Sequence, residues 1–236
     1  MNGVFDLGGT DGLGRIEAPP EEPAFTHDWE RAVFTMQLSC MIGGWCGLDS
    51  FRHGIEQMDP VTYLSTSYYE HWLHSLEHHG ITKGMIDPAE LDRRTQAFLD
   101  DPHAPLPRHD PKPELIAVVE ALSTHGAPAT RPTDAPVGFR VGDVVRVRSV
   151  APLGHTRMAR YVRGKVGTVV AYRGSFVFPD SAGNERGEDP QHLYTIQLSG
   201  AELWGEEYAD PRTSSTFDVW EPYIEMVRES EGAERE

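Results

Sequence analysis

The sequence predicts an α+β protein with an extended N-terminal arm, a helical N-terminal domain and a C-terminal SH3-like β-barrel. Three observations carry this. Residues 1–25 are broken by glycine and proline too often for a helix or a regular strand. Residues 26–123 place apolar side chains at helical spacing. Residues 137–228 switch to short Val-rich or aromatic runs divided by Gly, Pro and Asp.

The arm, "MNGVFDLGGTDGLG" followed by "APPEEP", has no P-loop pattern and no strand-plus-helix frame for a dinucleotide loop. Val4, Phe5, Leu7, Leu13 and Ile16 are many apolar residues for a free tail, which points to an arm that orders on a partner.

The helical domain opens with Trp29, Val33, Met36 and Cys40 on one stripe. Asp49 is placed to cap a short helix whose apolar face is Phe51, Ile55 and Met58, with Arg52 and Glu56 on another face. Asp59-Pro60 starts a further turn. Ser67 and Glu70 form a capping-box pattern, and Gly80 stands where a helix-ending glycine belongs. Asp87-Pro88-Ala89-Glu90 starts a helix to about Leu99, and Glu114 to Leu122 forms the last one, after the five prolines of "DDPHAPLPRHDPKP".

Residues 124–136, "THGAPATRPTDAP", read as a linker. Beyond it, "GDVVRVRSV", "GKVGTVVAY", "HLYTIQLS" and "TFDVWEPYIEMV" read as four or five short strands, which suggest the small closed barrel. Residues 229–236 are an acidic tail.

The formal net charge is −16, and residues 1–136 hold 21 acidic against 9 basic side chains. That argues against general nucleic-acid binding. No apolar run is long enough to span a bilayer, so no membrane association is expected. The N-terminus lacks a secretory pattern, and the two cysteines, Cys40 and Cys46, make no disulfide framework, which together suit a cytoplasmic setting.

Two motifs invite chemistry. His74, Glu77 and His78 match the inverted zinc-protease pattern H-x-x-E-H, but with 11 His and 37 carboxylates such a match is cheap, and a polar helix face with Tyr68, Trp72 and Leu76 turned inward is the favoured reading. "GHTRMARYVRGKVG" gathers Arg157, Arg160, Arg163 and Lys165 beside His155 with no acidic residue. Guanidinium is planar and permanently charged, so it holds an oxyanion with two parallel hydrogen bonds. RNA phosphate on an SH3-like barrel is one candidate anion.

"MNGVFDLGGTDGLG", "GLDSFRHGIEQM", "YYEHWLHSLEHHG", "GHTRMARYVRGKVGTVV", "ELWG" and "WEPYIE", taken together, closely resemble the β subunit of nitrile hydratase, from Met1 to about Val227. Thiocyanate hydrolase chains share parts of the pattern and form the lesser alternative. The resemblance implies an enzyme that adds water to a nitrile to give an amide, active only as a complex with an α subunit, as αβ or α2β2. It implies non-corrin Co(III) or non-haem Fe(III) held by a cysteine-rich claw of the α subunit, with two cysteines oxidised, and no metal in this chain.

Residue by residue, the resemblance carries two arginines that hydrogen-bond the oxidised cysteines onto Arg52 and Arg157. It carries a substrate channel onto Leu48, Phe51, Tyr68 and Trp72, and an outer hydrogen-bonding shell onto Glu56 and His71. Gln37 and Met41 depart from relatives that place aromatics there, and Trp72 favours the cobalt class over the iron class.

Overall fold

The computed structural model describes residues 2–15 and 23–227. The chain divides into two compact units: Arg15–Pro128, and Ala129–Glu236 together with Met1–Gly14. The division lies inside the 124–136 segment. Ile16 and the acidic tail at 229–236 lie outside the described residues.

The helical unit holds α1 (Asp28–Ile42), α2 (Leu48–Glu56), α3 (Pro60–Ser65), α4 (Tyr68–Thr82), α5 (Pro88–Asp100) and α6 (Pro113–His125). Helix α1 starts where the Glu30 carboxylate accepts the backbone N–H groups of Thr26 and His27, the latter at 2.9 Å. The His27 N–H is one of the donors a helix start leaves without a carbonyl. Its buried face is Glu30, Val33 and Gln37, whereas Trp29 and Met36 are exposed. The expected stripe is thus rotated, because Gln37 can turn inward and donate to the Met41 sulfur at 2.7 Å.

Helices α3 and α5 start as expected, with Asp59 and Asp87 accepting from the N–H groups of Val61 and Ala89, both at 3.0 Å. In α4, Glu70 accepts from the Ser67 N–H at 2.7 Å. Two helix signals fail. Asp49 sits inside the first turn of α2, where Gly47 is the cap, and pairs with Arg52 instead. Gly80 does not end α4, which runs on to Thr82. A Cβ at Gly80 would come within 2.6 Å of Ile86 and 2.7 Å of Trp45, so glycine is there for close packing.

Val33, Cys46, Phe51 and Leu76 form the core of this unit. Helix α4 is braced against α2 by two buried polar side chains. The Ser75 hydroxyl donates to the Phe51 carbonyl at 2.6 Å, and the His79 Nε2 meets the Ser50 carbonyl at 2.8 Å. Both carbonyls lie in the first turn of α2, just before Arg52, and the bonds fix where that turn sits.

The second unit holds β1 (Val144–Val147), β2 (Val166–Phe176), α7 (Pro179–Ala182), β3 (Gln191–Ser199), α8 (Gly200–Trp204), β4 (Ser214–Trp220) and β5 (Ile224–Met226). The strands form one antiparallel sheet of order β4-β3-β2-β1-β5. Strand β3 is buried from His192 to Ile196, as a central strand should be. Val145, Val147, Met158, Val169, Tyr194, Ile196 and Leu198 fill the core.

The expected closed barrel is not what the pairing gives. Strands β4 and β5 are the two edges of an open order. They are nonetheless joined by only the 3-10 turn Glu221–Tyr223. Four strand spacings of a flat sheet are about 19 Å, and four Cα steps reach only about 14 Å. The sheet is therefore rolled, with irregular register in β2 between Val169 and Ala171 and between Tyr172 and Gly174.

Candidate functional site

The arginine-rich stretch is the connection between β1 and β2. Its path is set by Gly154, whose φ of +77° suits glycine and whose Cβ would come within 1.9 Å of the Asn184 side-chain oxygen. Asn184 accepts the His155 N–H and returns its own amide to the His155 carbonyl, both at 3.1 Å. From just beyond α7 it also donates to the carbonyl of Asp180, inside that helix, at 2.7 Å. One amide side chain thus reads the backbone of His155 as a neighbouring strand would.

The next residues alternate as an extended segment does. Thr156 and Met158 are buried, and Arg157 between them is exposed. Tyr223, 3% exposed, is the fastening. Its hydroxyl accepts from the Thr156 hydroxyl and from the Arg157 backbone N–H, each at 3.2 Å, and donates to the Asp180 carboxylate. Burial pushes the Tyr223 phenol far above its ordinary range, with the Asp180 charge and hydrogen bond adding to it. Burial also raises the Asp180 carboxyl, while its bond to Tyr223 pulls the other way.

The three arginines have separated roles. Among the described residues the Arg157 guanidinium has no hydrogen-bond or ion-pair partner; only its backbone is tied down. Arg160 donates its backbone N–H to Asp6 at 2.8 Å, and Arg163 donates to the Asn2 side chain at 2.7 Å and to the Met158 carbonyl at 3.1 Å. The threefold spacing produces no shared face, because Arg157 lies in extended chain while Arg160 begins a 3-10 turn that Arg163 ends.

Arg52 stands on α2 with its side chain 40% exposed, held by the 10%-exposed Asp49 carboxylate at 2.8 Å. That bond uses one Nη1 and leaves the rest of the fork without a partner among the described residues.

Phe51, Trp72 and Tyr68 are brought together. Trp72 is the hub, with ring centroids 5.3 Å from Phe51, 5.5 Å from Tyr68 and 6.0 Å from Phe34. The series runs from buried Phe51 to Tyr68, which is 64% exposed. Leu48, at 45% exposed, stands apart on the first turn of α2.

Glu56 and His71 belong to one cluster through a residue that sequence reasoning missed. His71 stacks on Tyr63 with centroids 4.5 Å apart and meets the Tyr63 carbonyl at 2.9 Å. Burial, and then the Glu56 charge, raises the Tyr63 phenol. Glu56 itself is 3.2 Å from His53. Asp180, Asn184 and Tyr223 were also missed. Tyr223 lies in the "WEPYIE" motif, yet nothing local to that motif indicates a contact with residue 157.

No disulfide joins Cys40 and Cys46; Cys46 is in the helical core, and burial raises the Cys40 thiol away from the thiolate a metal needs. Burial lowers the His74 imidazole and raises the Glu77 carboxyl, and the ligand atoms of His74, Glu77 and His78 do not converge on a common position. Neither set fits a cysteine-rich claw.

Known proteins agree along nearly the full length. Residues 1–115 match the family described as nitrile hydratase beta subunit, N-terminal, and residues 128–226 match nitrile hydratase beta subunit, C-terminal. A nitrile hydratase subunit beta from Rhodococcus sp is 58% identical over 233 residues, covering 99% of each chain. A cobalt-containing nitrile hydratase subunit beta from Pseudonocardia thermophila is 52% identical over 227 residues, covering 96% of this chain and 97% of that one. A thiocyanate hydrolase subunit alpha from Thiobacillus thioparus is 34% identical over only 93 residues, covering 38% of this chain and 71% of that one. With both halves matched, the chain belongs to the nitrile hydratase β-subunit family.

Proposed function

We propose that this chain works as the β subunit of a nitrile hydratase, adding water to small nitriles to give amides in complex with an α subunit. The observation that carries the site assignment is Arg157: an anchored backbone with an outward guanidinium that has no partner among the described residues. Such a group is matched to an oxyanion on another molecule. In this reading Arg52 and Arg157 donate to the two oxidised cysteines of the α subunit. A sulfenate or sulfinate taken out of water needs such partners. Each charge-assisted hydrogen bond contributes about 1.5–3 kcal/mol, and the donors orient the oxygens around the metal.

The metal proposed is cobalt, held by the α subunit, in keeping with the relative named cobalt-containing. When bound there it supplies Lewis acidity. Leu48, Phe51, Trp72 and Tyr68 serve as an apolar wall for the substrate, and Glu56 and His71 as an outer hydrogen-bonding shell. The proposal extends to αβ or α2β2 assembly, a cytoplasmic setting and an SH3-like curl of the sheet, for which the support is the three-residue link between its two edges. It also keeps the N-terminal arm as a partner-binding segment, supported by the exposure of Leu7 and Leu13.

The test is to produce the chain with its α subunit and measure amide formation from a saturating nitrile, metal content and subunit ratio. The complex is expected to be active and the isolated chain inactive. Arg157→Lys with full activity, normal metal and normal assembly would remove Arg157 from the site.

A further inference from the structure

Arg157 is useful only if its head is held where the anion will be, and nothing near it in sequence supplies that hold. The fastening comes from 66 residues away. A relay of hydrogen bonds runs in one direction: the Met158 N–H donates to the Thr156 hydroxyl at 3.3 Å, Thr156 donates to the Tyr223 hydroxyl at 3.2 Å, and Tyr223 donates to Asp180. The Arg157 N–H joins at Tyr223, also at 3.2 Å. Tyr223 therefore fills its whole capacity, one proton given and two accepted. The carboxylate at the end of the relay takes the Tyr223 proton, which leaves the phenol oxygen to accept from Thr156 and Arg157.

Resting on the reading of Arg157 given above, we propose that Tyr223 is the positioning residue for Arg157. Its hydroxyl, oriented by Asp180, locks Thr156 and Arg157 in the extended register that turns Thr156 and Met158 inward and the guanidinium outward. The aromatic ring alone does not do this. It packs in the sheet core and contacts Trp220 and Phe178. Removing only the hydroxyl leaves that packing in place but frees the Arg157 N–H and the Thr156 hydroxyl. The extended segment then has neighbouring registers open to it. A displacement of about 1 Å of a group orienting a reacting centre can cost about 100-fold in rate.

Tyr194 provides the control. It is also a buried tyrosine of the same core, but its hydroxyl is spent on Glu221 at 2.6 Å and the Phe139 N–H at 3.4 Å. Tyr223→Phe and Tyr194→Phe are to be compared in the assembled α–β enzyme. The readouts are backbone amide exchange at Arg157, kcat and KM for one nitrile, and the visible absorption of the metal–thiolate centre. Tyr223→Phe is expected to speed exchange at Arg157, to lower kcat about 10- to 100-fold with KM little changed, and to shift the absorption band. Tyr194→Phe is expected to leave all three as in the parent.

Unchanged exchange at Arg157 in Tyr223→Phe, or the same response from both variants, overturns the proposal. Should Tyr223→Phe fail to assemble, Thr156→Val removes one link of the relay while keeping the side chain's shape. Faster exchange at Arg157 then supports the proposal, and parental exchange overturns it. Arg157→Lys measured alongside separates the two ideas. If it retains full activity, the assignment of Arg157 falls, while the exchange readout still decides whether Tyr223 holds the segment.

Discussion

The carboxylate of Asp6 accepts the backbone N–H of Arg160 at 2.8 Å, although Asp6 belongs to the glycine-broken N-terminus and Arg160 to the connection between β1 and β2. Asp6 is 2% exposed. Asn2 supports it by donating to the Pro152 carbonyl at 2.7 Å and accepting from Arg163 at 2.7 Å. The two side chains bracket Arg157 from both sides in sequence.

The arm is therefore expected to stabilise its own chain. Asp6→Asn should lower the stability of the sheet unit by about 1–3 kcal/mol, because a buried charged acceptor is exchanged for a neutral one. Asn2→Ala, at an exposed position, should cost less than about 1 kcal/mol. Denaturant unfolding of the isolated chain reads both. Deleting residues 1–9 should weaken assembly with the α subunit as well; a deletion that leaves stability and assembly at parental strength contradicts the proposed role.

Arg52→Lys and Arg157→Lys keep the net charge but lose the planar fork. Each single variant should lose about 10²–10³ in kcat, the usual cost of one preorganised donor near a reacting centre. The double variant should lose less than the product of the singles, because both arginines are assigned to one site. Arg163→Lys should keep most activity, since its bonds run to Asn2 and Met158, with a stability cost of about 1 kcal/mol. Steady-state rates of the four variants, normalised to metal content, make the comparison. Fully multiplicative losses would place the two arginines at independent sites.

Trp72 joins the exposed ring of Tyr68 to the buried ring of Phe51, so its size should tune which nitrile is accepted. Trp72→Phe and Leu48→Ala should change the ratio of rates between aliphatic and aromatic nitriles by an amount worth about 1–3 kcal/mol. A uniform loss across substrates that follows lost stability would identify Trp72 as a packing residue alone.

Alkaline stability should depend on the buried phenols. Burial, reinforced by the hydrogen bond to Glu221, raises Tyr194 far above its ordinary value. A phenol whose folded value is raised contributes stability that is fully present below its unfolded value, about 10, and is lost as pH climbs through the folded value. Between those limits the unfolded chain has released the proton and the folded chain has not, so stability falls by about 1.4 kcal/mol per pH unit per tyrosine. Tyr194→Phe should start less stable at neutral pH and show a slope shallower by one proton above pH 10. An unchanged slope in denaturant unfolding across that range would show that Tyr194 ionises normally when folded.

The sequence by itself determined whatever depends on neighbours a turn apart. The helix starts at Asp59, Ser67 and Asp87 and the switch from helical to strand period after 137 were legible because caps, periodicity and turn residues act over three or four positions. Only the tertiary structure decided which face of α1 is buried, because Gln37 is acceptable inside once Met41 accepts its amide. It likewise decided that Gly80 serves packing against Trp45 and Ile86, and that Asp49 is a partner for Arg52 and not a cap. The hold on the arginine segment comes from Asp6, Asp180, Asn184 and Tyr223, all distant in sequence from the residues they fasten. Each of those bonds gains its strength from burial, where an unpaired polar group is costly. Burial is a property of the packed chain that no short window of sequence contains.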